Sequence, residues 1–298
     1  AVAHTLAAMT GAEGTLSTPL ASEELRSIDG IVMLAAGTSH YAAMVARYWI
    51  ENLARVPVSC EVASEYRYRK PVTGAYSAAV AISQSGESLD TLMAMRHAGE
   101  AGLQTIGLVN VPESTIAREA DLVMPTRAGP EIGVASTKAF TAQLTALICF
   151  AVALAEAKGA INAARRDEIY SLIQGLPSMI GKTLALFDEI RPLAHSLTTA
   201  RSAIYLGRDV LFPVALEGAL KLKELSYIHA EGFASGEMKH GPIALIEDGL
   251  PVIALLAADE VMGKAASNLQ EASARGARII LVTEDRAATA VDFADEIV

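Results

Sequence analysis

The chain has 298 residues, 52% apolar and 19% charged, with a formal net charge of −10. That composition supports a sizeable core, while the acidic balance and the lack of any Lys/Arg run exclude nucleic acid or an anionic membrane as the main partner. Cys60 and Cys149 are the only cysteines, too few for a disulfide framework and placed in no zinc-binding pattern.

In chain order, residues 1–28 are rich in Ala, Ser and Thr and read as a helical lead-in. No signal peptide is visible, and the predicted compartment is the cytoplasm; the chain starts without Met, so a trimmed start stays open. Ile31–Ala35 reads as a strand, followed by Gly37-Thr38-Ser39 and a helix from Tyr41 to Leu53. The apolar run Ala78–Ile82 reads as a buried parallel strand, and Leu89–Ala101 as the helix after it. Between them lies Ser83-Gln84-Ser85-Gly86-Glu87-Ser88. A strand ending in serines and a glycine before a helix can hold an anion through backbone N–H groups, the helix dipole and hydroxyls. Gly86 would let the backbone approach the ligand closely. The loop has no Lys or Arg, so the expected guest is a phosphomonoester held by neutral donors. An ordinary N-cap turn would use the same residue types.

Gly102 and the strand Thr105–Val109 come next, then a second Gly/Ser loop, Gly129–Lys138. Its Ser136, Thr137 and Lys138 face a cleft or merely cap the long helix that runs to Ala157. The apolar run Leu144–Ala155 is too short to cross a bilayer and reads as a buried helix. The polar stretch Lys158–Pro177 reads as a link.

The second half repeats the first. Ala203–Leu206, Gly207-Arg208-Asp209 and a helix from Pro213 match the opening unit; Val252–Leu256, a helix, Gly276 and Arg278–Val282 match the next. The predicted organisation is a lead-in at 1–28, one domain at 29–158, a link at 159–177 and a second domain at 178–298. Alternating strands and helices predict an α/β fold with a parallel sheet covered on both faces in each half, and ligands beyond the carboxyl ends of the strands. At the place of Ser83–Ser88 the second half has Ala257-Ala258-Asp259-Glu260, whose carboxylates repel a phosphate, so one anion site is expected.

The helix Pro213–Glu231, with Pro213 at N1, is apolar nearly all round and reads as buried. Glu217, Lys221 and Glu224 nevertheless form one stripe along it. They are either a structural ion-pair ladder or a carboxylate base beside a lysine. His229 on the same helix reads as a core or interface residue. His240, in Glu237-Met238-Lys239-His240-Gly241-Pro242, sits where Gly-Pro ends regular structure, displayed either as a proton shuttle or as a bystander.

Taken together, GTS, ASEYRYRKP (63–71), SQSGES, EIGVASTKAF (131–140), ALEGALKLKELSYIHAE (215–231) and GEMKHGP (236–242) resemble the sugar isomerase (SIS) domains. The helix and the KHGP loop narrow the resemblance to the isomerase half of the glutamine–fructose-6-phosphate aminotransferases, over about 31–285. It implies two SIS-type three-layer αβα sandwiches, each with a five-stranded parallel sheet, in a homodimer, with no metal or cofactor. It implies a phosphate pocket from Ser83, Gln84, Ser85 and Ser88 with Thr38 and Ser39 nearby, and sugar contacts from Val134, Ser136 and Lys221. Glu224 would move a proton between C1 and C2 of a hexose 6-phosphate, Glu217 would orient that group, and His240 would reach in from a partner subunit to open the ring. Ser88 stands where the family usually has Thr, which keeps the hydroxyl, and Ala36 where Cys is common. The family's N-terminal glutaminase region, opening on a nucleophilic cysteine, and its C-terminal tail with an imine-forming lysine have no counterpart here, so the chain is expected to be an isomerase region. A stand-alone glucosamine-6-phosphate deaminase and a non-catalytic sugar-phosphate sensor are the alternatives; retention of Glu224 disfavours the sensor.

Overall fold

The computed structural model describes residues 1–11 and 16–298; the lead-in at 12–15 lies outside the described residues. The chain divides into two units, Ala1–Gly181 and Lys182–Val298.

In the first unit, α1 (Val2–Ala8) and α2 (Ser22–Arg26) precede β1 (Ile31–Ala35), α3 (Gly37–Ala54), β2 (Val58–Val62) and α4 (Ala63–Tyr66). Then come β3 (Ala78–Ser83), α5 (Leu89–Glu100), β4 (Gln104–Val109), α6 (Thr115–Glu119), β5 (Leu122–Pro125), α7 (Lys138–Ala157) and α8 (Ala163–Gln174). The strands lie parallel in the order β2-β1-β3-β4-β5. Every residue of β1 and β3 is buried, as an unbroken apolar run covered on both faces requires. The edge strands β2 and β5 are partly exposed. The chain leaves β1 toward β2 but leaves β3 toward β4 and β5, so the connections part between β1 and β3 and open a crevice at their carboxyl ends.

Helix α7 is the core of this unit: Cys149, Phe150, Ala151 and Val152 are fully buried. At 20 residues it is long and apolar enough to cross a membrane, but most of it is covered by the unit's own elements. Residues 159–177, expected as a link, carry α8, whose Tyr170 and Ile173 are buried against the same core. The contact boundary falls later, between Gly181 and Lys182.

Helix α9 (Leu176–Leu184) spans that boundary. The second unit continues with α10 (Phe187–Ser196), β6 (Ser202–Gly207), α11 (Leu211–Ser226), β7 (His229–Ala234), β8 (Pro251–Leu255), α12 (Met262–Ser273), β9 (Arg278–Val282), α13 (Asp285–Ala288) and β10 (Glu296–Ile297). Its sheet, read β7-β6-β8-β9-β10, is parallel throughout and repeats the order of the first. The duplication is therefore one of topology as well as sequence.

One predicted element is corrected. The helix expected over Pro213–Glu231 runs from Leu211 to Ser226, and Pro213 is its third residue rather than N1. Tyr227 takes the left-handed conformation, φ 62°, with its N–H bonded to the Lys223 carbonyl, and ends the helix without glycine. His229 and Glu231 then pair along β6 in β7. The expected all-round burial is also lost: Pro213, Ala215, Glu217 and Ala219 are buried, while Leu225 and Tyr227 are exposed. His229, expected in a core or interface, is exposed in this chain.

Neither thiol is set up as a nucleophile. Burial pushes both Cys60 and Cys149 up to about 12, and the Cys60 S–H donates to the Ala43 carbonyl at 3.3 Å. At pH 8 the thiolate fraction is on the order of one in ten thousand. Both cysteines are expected to resist iodoacetamide in the native chain at pH 8 and to react fully in urea; rapid native labelling would contradict the packing described.

Candidate functional site

The crevice between β1 and β3 is lined by two loops. The β1 loop enters α3 directly, so Thr38 and Ser39 stand half-buried in that helix's first turn. The β3 loop, Ser83–Ser88, holds a buried Ser83, half-buried Gln84 and Ser88, and an exposed Ser85.

The serines share one property. The Gly86 N–H donates to Ser83 Oγ at 3.0 Å, and the Glu87 N–H to Ser85 Oγ at 3.1 Å. Thr91 Oγ1 donates to Ser88 Oγ at 3.2 Å, and Gln143 Nε2 to Ser39 Oγ at 2.9 Å. A hydroxyl has one proton to give and two lone pairs. Each of these oxygens already accepts a bond from the protein, so its proton is free for an outside acceptor. Two loop amides are thus spent on serines, and the donors offered to a ligand are chiefly hydroxyls, joined by the first amides of α5.

Gly86 is also required by the packing behind the loop. It is buried at φ +67°, and a Cβ there would lie 2.0 Å from Ser114 Oγ and 2.4 Å from Ser114 Cβ. Ser114 occupies the space that a Cβ would need. Behind the loop, the Ile116 N–H donates to the Gly86 carbonyl at 3.0 Å and the Thr115 N–H to Glu87 Oε1 at 2.8 Å. Those bonds to Thr115 hold the Glu87 carboxyl below its ordinary value. The clamp is complete above the usual carboxylate range and loosens as pH falls through the lowered value.

Asn110, at the end of β4, joins this loop to the next. Its N–H donates to the Gln84 carbonyl at 3.2 Å, its Oδ1 accepts from the Ala128 N–H at 2.6 Å, and its Nδ2 donates to the Gly129 carbonyl at 2.9 Å. The loop Gly129–Lys138 is a capped helix start in these contacts: Glu131 Oε2 accepts from the Ala139 N–H at 3.0 Å, and Lys138 Nζ donates to the Pro130 carbonyl at 2.6 Å. Ser136 is half-buried, and Val134 is 96% exposed. His40, beside Ser39, is pushed below its ordinary value chiefly by burial and adds no cation at neutral pH.

In the second unit the equivalent amides are occupied by carboxylates. The Val261 N–H donates to Asp259 Oδ1 and the Ala258 N–H to Glu284 Oε1, both at 2.9 Å. The unit's polar feature lies on α11. Lys221 Nζ is 2.6 Å from Glu224 Oε2 and 3.5 Å from Glu217 Oε1. Glu217 is only 5% exposed, whereas Glu224 reaches solvent, so the lysine anchors on a buried carboxylate and presents an exposed one. His240 ends a 3-10 turn, Ser235–His240, and is exposed. Gly241 follows at φ +144°, which only glycine adopts without strain, and Pro242 begins the next turn. Among the described residues no three His, Cys, Asp or Glu side chains converge as a metal site.

The sequence signal missed Asn110, Ser114 and Gln143. Gln143 alone had a readable mark, an amide at the border of the apolar run 144–155.

The SIS domain family matches residues 24–153 and 196–298. The glutamine–fructose-6-phosphate aminotransferase of Zymomonas mobilis is 50% identical over 92% of this chain and 45% of its own length. That of Leifsonia xyli is 47% identical over the whole chain and 50% of its own length. The chain therefore spans about half the length of these curated relatives. Among solved structures, the C-terminal domain of glucosamine-fructose-6-phosphate aminotransferase from Francisella tularensis superposes with a TM-score of 0.96 at 41% identity, covering 100% of this chain and 84% of that one. Two repeated parallel sheets, a hydroxyl-lined loop at the first switch point and these matches lead to one conclusion: the chain belongs to the SIS domain family, in the branch that includes the isomerase domains of the glutamine–fructose-6-phosphate aminotransferases.

Proposed function

We propose that this chain is the sugar-phosphate isomerase region of a glucosamine-6-phosphate-forming enzyme, taking fructose 6-phosphate as substrate. The observation that carries the reading is the set of four serine oxygens, each already accepting a bond and each left with a proton to donate. Such a set suits the phosphate of a hexose 6-phosphate, with Thr38 and Gln84 beside it. Uncharged donors bind without the strong charge pairing that would slow product release.

In this reading Glu224 is the base. It takes a proton from C1 of the open-chain ketose as O2 gains one, giving an enediol. It returns a proton to C2 while O1 loses its own, leaving the aldose. Lys221 keeps the carboxylate in place and meets a sugar hydroxyl, and Glu217 anchors the lysine. Ser136 and the backbone at Val134 contact the sugar, and His240, contributed across a homodimer, protonates the ring oxygen during opening. With an N-terminal glutaminase region supplying ammonia, the product is glucosamine 6-phosphate; without ammonia it is glucose 6-phosphate. The compartment of this chemistry is the cytoplasm.

Glu224→Gln should lower interconversion of fructose and glucose 6-phosphates by about a hundredfold or more and leave glucose 6-phosphate affinity within about threefold. Undiminished turnover in a coupled dehydrogenase assay would remove Glu224 from the role of base. Gly86→Ala should weaken glucose 6-phosphate binding by about tenfold or more, since left-handed backbone and the Ser114 contact both oppose a Cβ. Adding Ser114→Gly should restore part of the loss in the same calorimetric titration. Equal affinity of Gly86→Ala and the unaltered chain would contradict the loop geometry.

A further inference from the structure

Three of the four serines find their internal partner within the loop or one helical turn away. Ser39 does not. Its partner is Gln143, 104 residues further on, in the first half of α7. Gln143 is 2% exposed and is surrounded on α7 by Ala139, Phe140, Ala142, Ala146 and Leu147, all buried. Its Oε1 is buried and has no hydrogen-bond partner among the described residues. A buried amide with half its capacity unused destabilises a core that Leu or Met would fill without that cost. Packing therefore does not explain the residue, and an orphaned buried acceptor of this kind asks for another account. The bond it does make supplies one.

We propose that Gln143 is a positioning residue for phosphate binding: its Nε2–H occupies a lone pair of Ser39 Oγ and so directs the single hydroxyl proton of Ser39 toward the ester. The inference rests on the reading of Ser39 as a phosphate ligand. Were an acceptor in place of Nε2, the proton of Ser39 would turn inward and the oxygen would face the anion with lone pairs. The side chain thus decides whether Ser39 attracts or repels the guest, without touching it. Ser83 and Ser85 are not exposed to this choice, because the backbone amides of Gly86 and Glu87 can only donate, and Ser88 is met by the Thr91 hydroxyl one helical turn away.

The test is a double-mutant cycle on the full chain, titrated calorimetrically with glucose 6-phosphate and, separately, with inorganic phosphate. Ser39→Ala and Gln143→Leu should each weaken glucose 6-phosphate binding about tenfold, and the double variant should be no weaker than the poorer single. Gln143→Glu should be worse than Gln143→Leu, since its carboxylate accepts the Ser39 proton and adds a like charge. In the isomerase assay KM should rise and kcat should stay within about twofold. Gln143→Met serves as a near-isosteric replacement if Gln143→Leu fails to fold. Multiplied losses in the double variant, or unchanged affinity in Gln143→Leu or Gln143→Met, would overturn the proposal while leaving the phosphate site standing. Failure of the unaltered chain to bind glucose 6-phosphate would overturn both.

Discussion

A hydroxyl oxygen that accepts one bond from its own protein has its proton to spare, and this constraint organises the first unit. Ser83, Ser85, Ser88 and Ser39 are each pinned in that way. The pinning needs a loop that turns sharply after β3, which Gly86 permits at φ +67° and which Ser114 fills from behind. It also needs α6, whose first amides bind Gly86 and Glu87. The sheet order places the β1 and β3 loops side by side, because the connections part between those two strands. Sequence, turn, packing and topology thus converge on a crevice of neutral donors.

The duplicated unit shows what happens when the same topology is given other residues. The sheet order recurs, and so does the divergence between β6 and β8. There, however, the loop amides donate to the carboxylates of Asp259 and Glu284 rather than to serine hydroxyls, so the loop gains negative charge and no spare protons. The second unit instead carries the exposed Glu224 on α11, with Lys221 bridging to the buried Glu217. One copy presents hydroxyl donors and the other an exposed carboxylate and imidazole, a difference that fold alone does not dictate.

Much of this is legible in the sequence. The strands announced themselves as apolar runs because parallel strands buried on both faces need no polar alternation. The serine loop and the Glu217/Lys221/Glu224 stripe were visible as local patterns. The end of α11 was not. Leu225, Tyr227 and Ile228 continue an apolar helical spacing, and neither glycine nor proline interrupts it. Pairing of His229–Ala234 with β6 overrides that local preference. The packing of Gly86 against Ser114 left no local mark, because Ser114 lies beyond the following strand. Asn110 and Gln143 act through bonds to distant loops, and spacing along the chain carries no trace of such partners.

The central claim is that uncharged hydroxyls in the first unit grip the phosphate. A crystal structure of the full chain with glucose 6-phosphate bound tests it most directly. The ester oxygens should lie within about 3 Å of the hydroxyls of Ser83, Ser85, Ser88 and Ser39. An ester lodged instead against arginine or lysine side chains, away from the crevice between β1 and β3, would contradict the account.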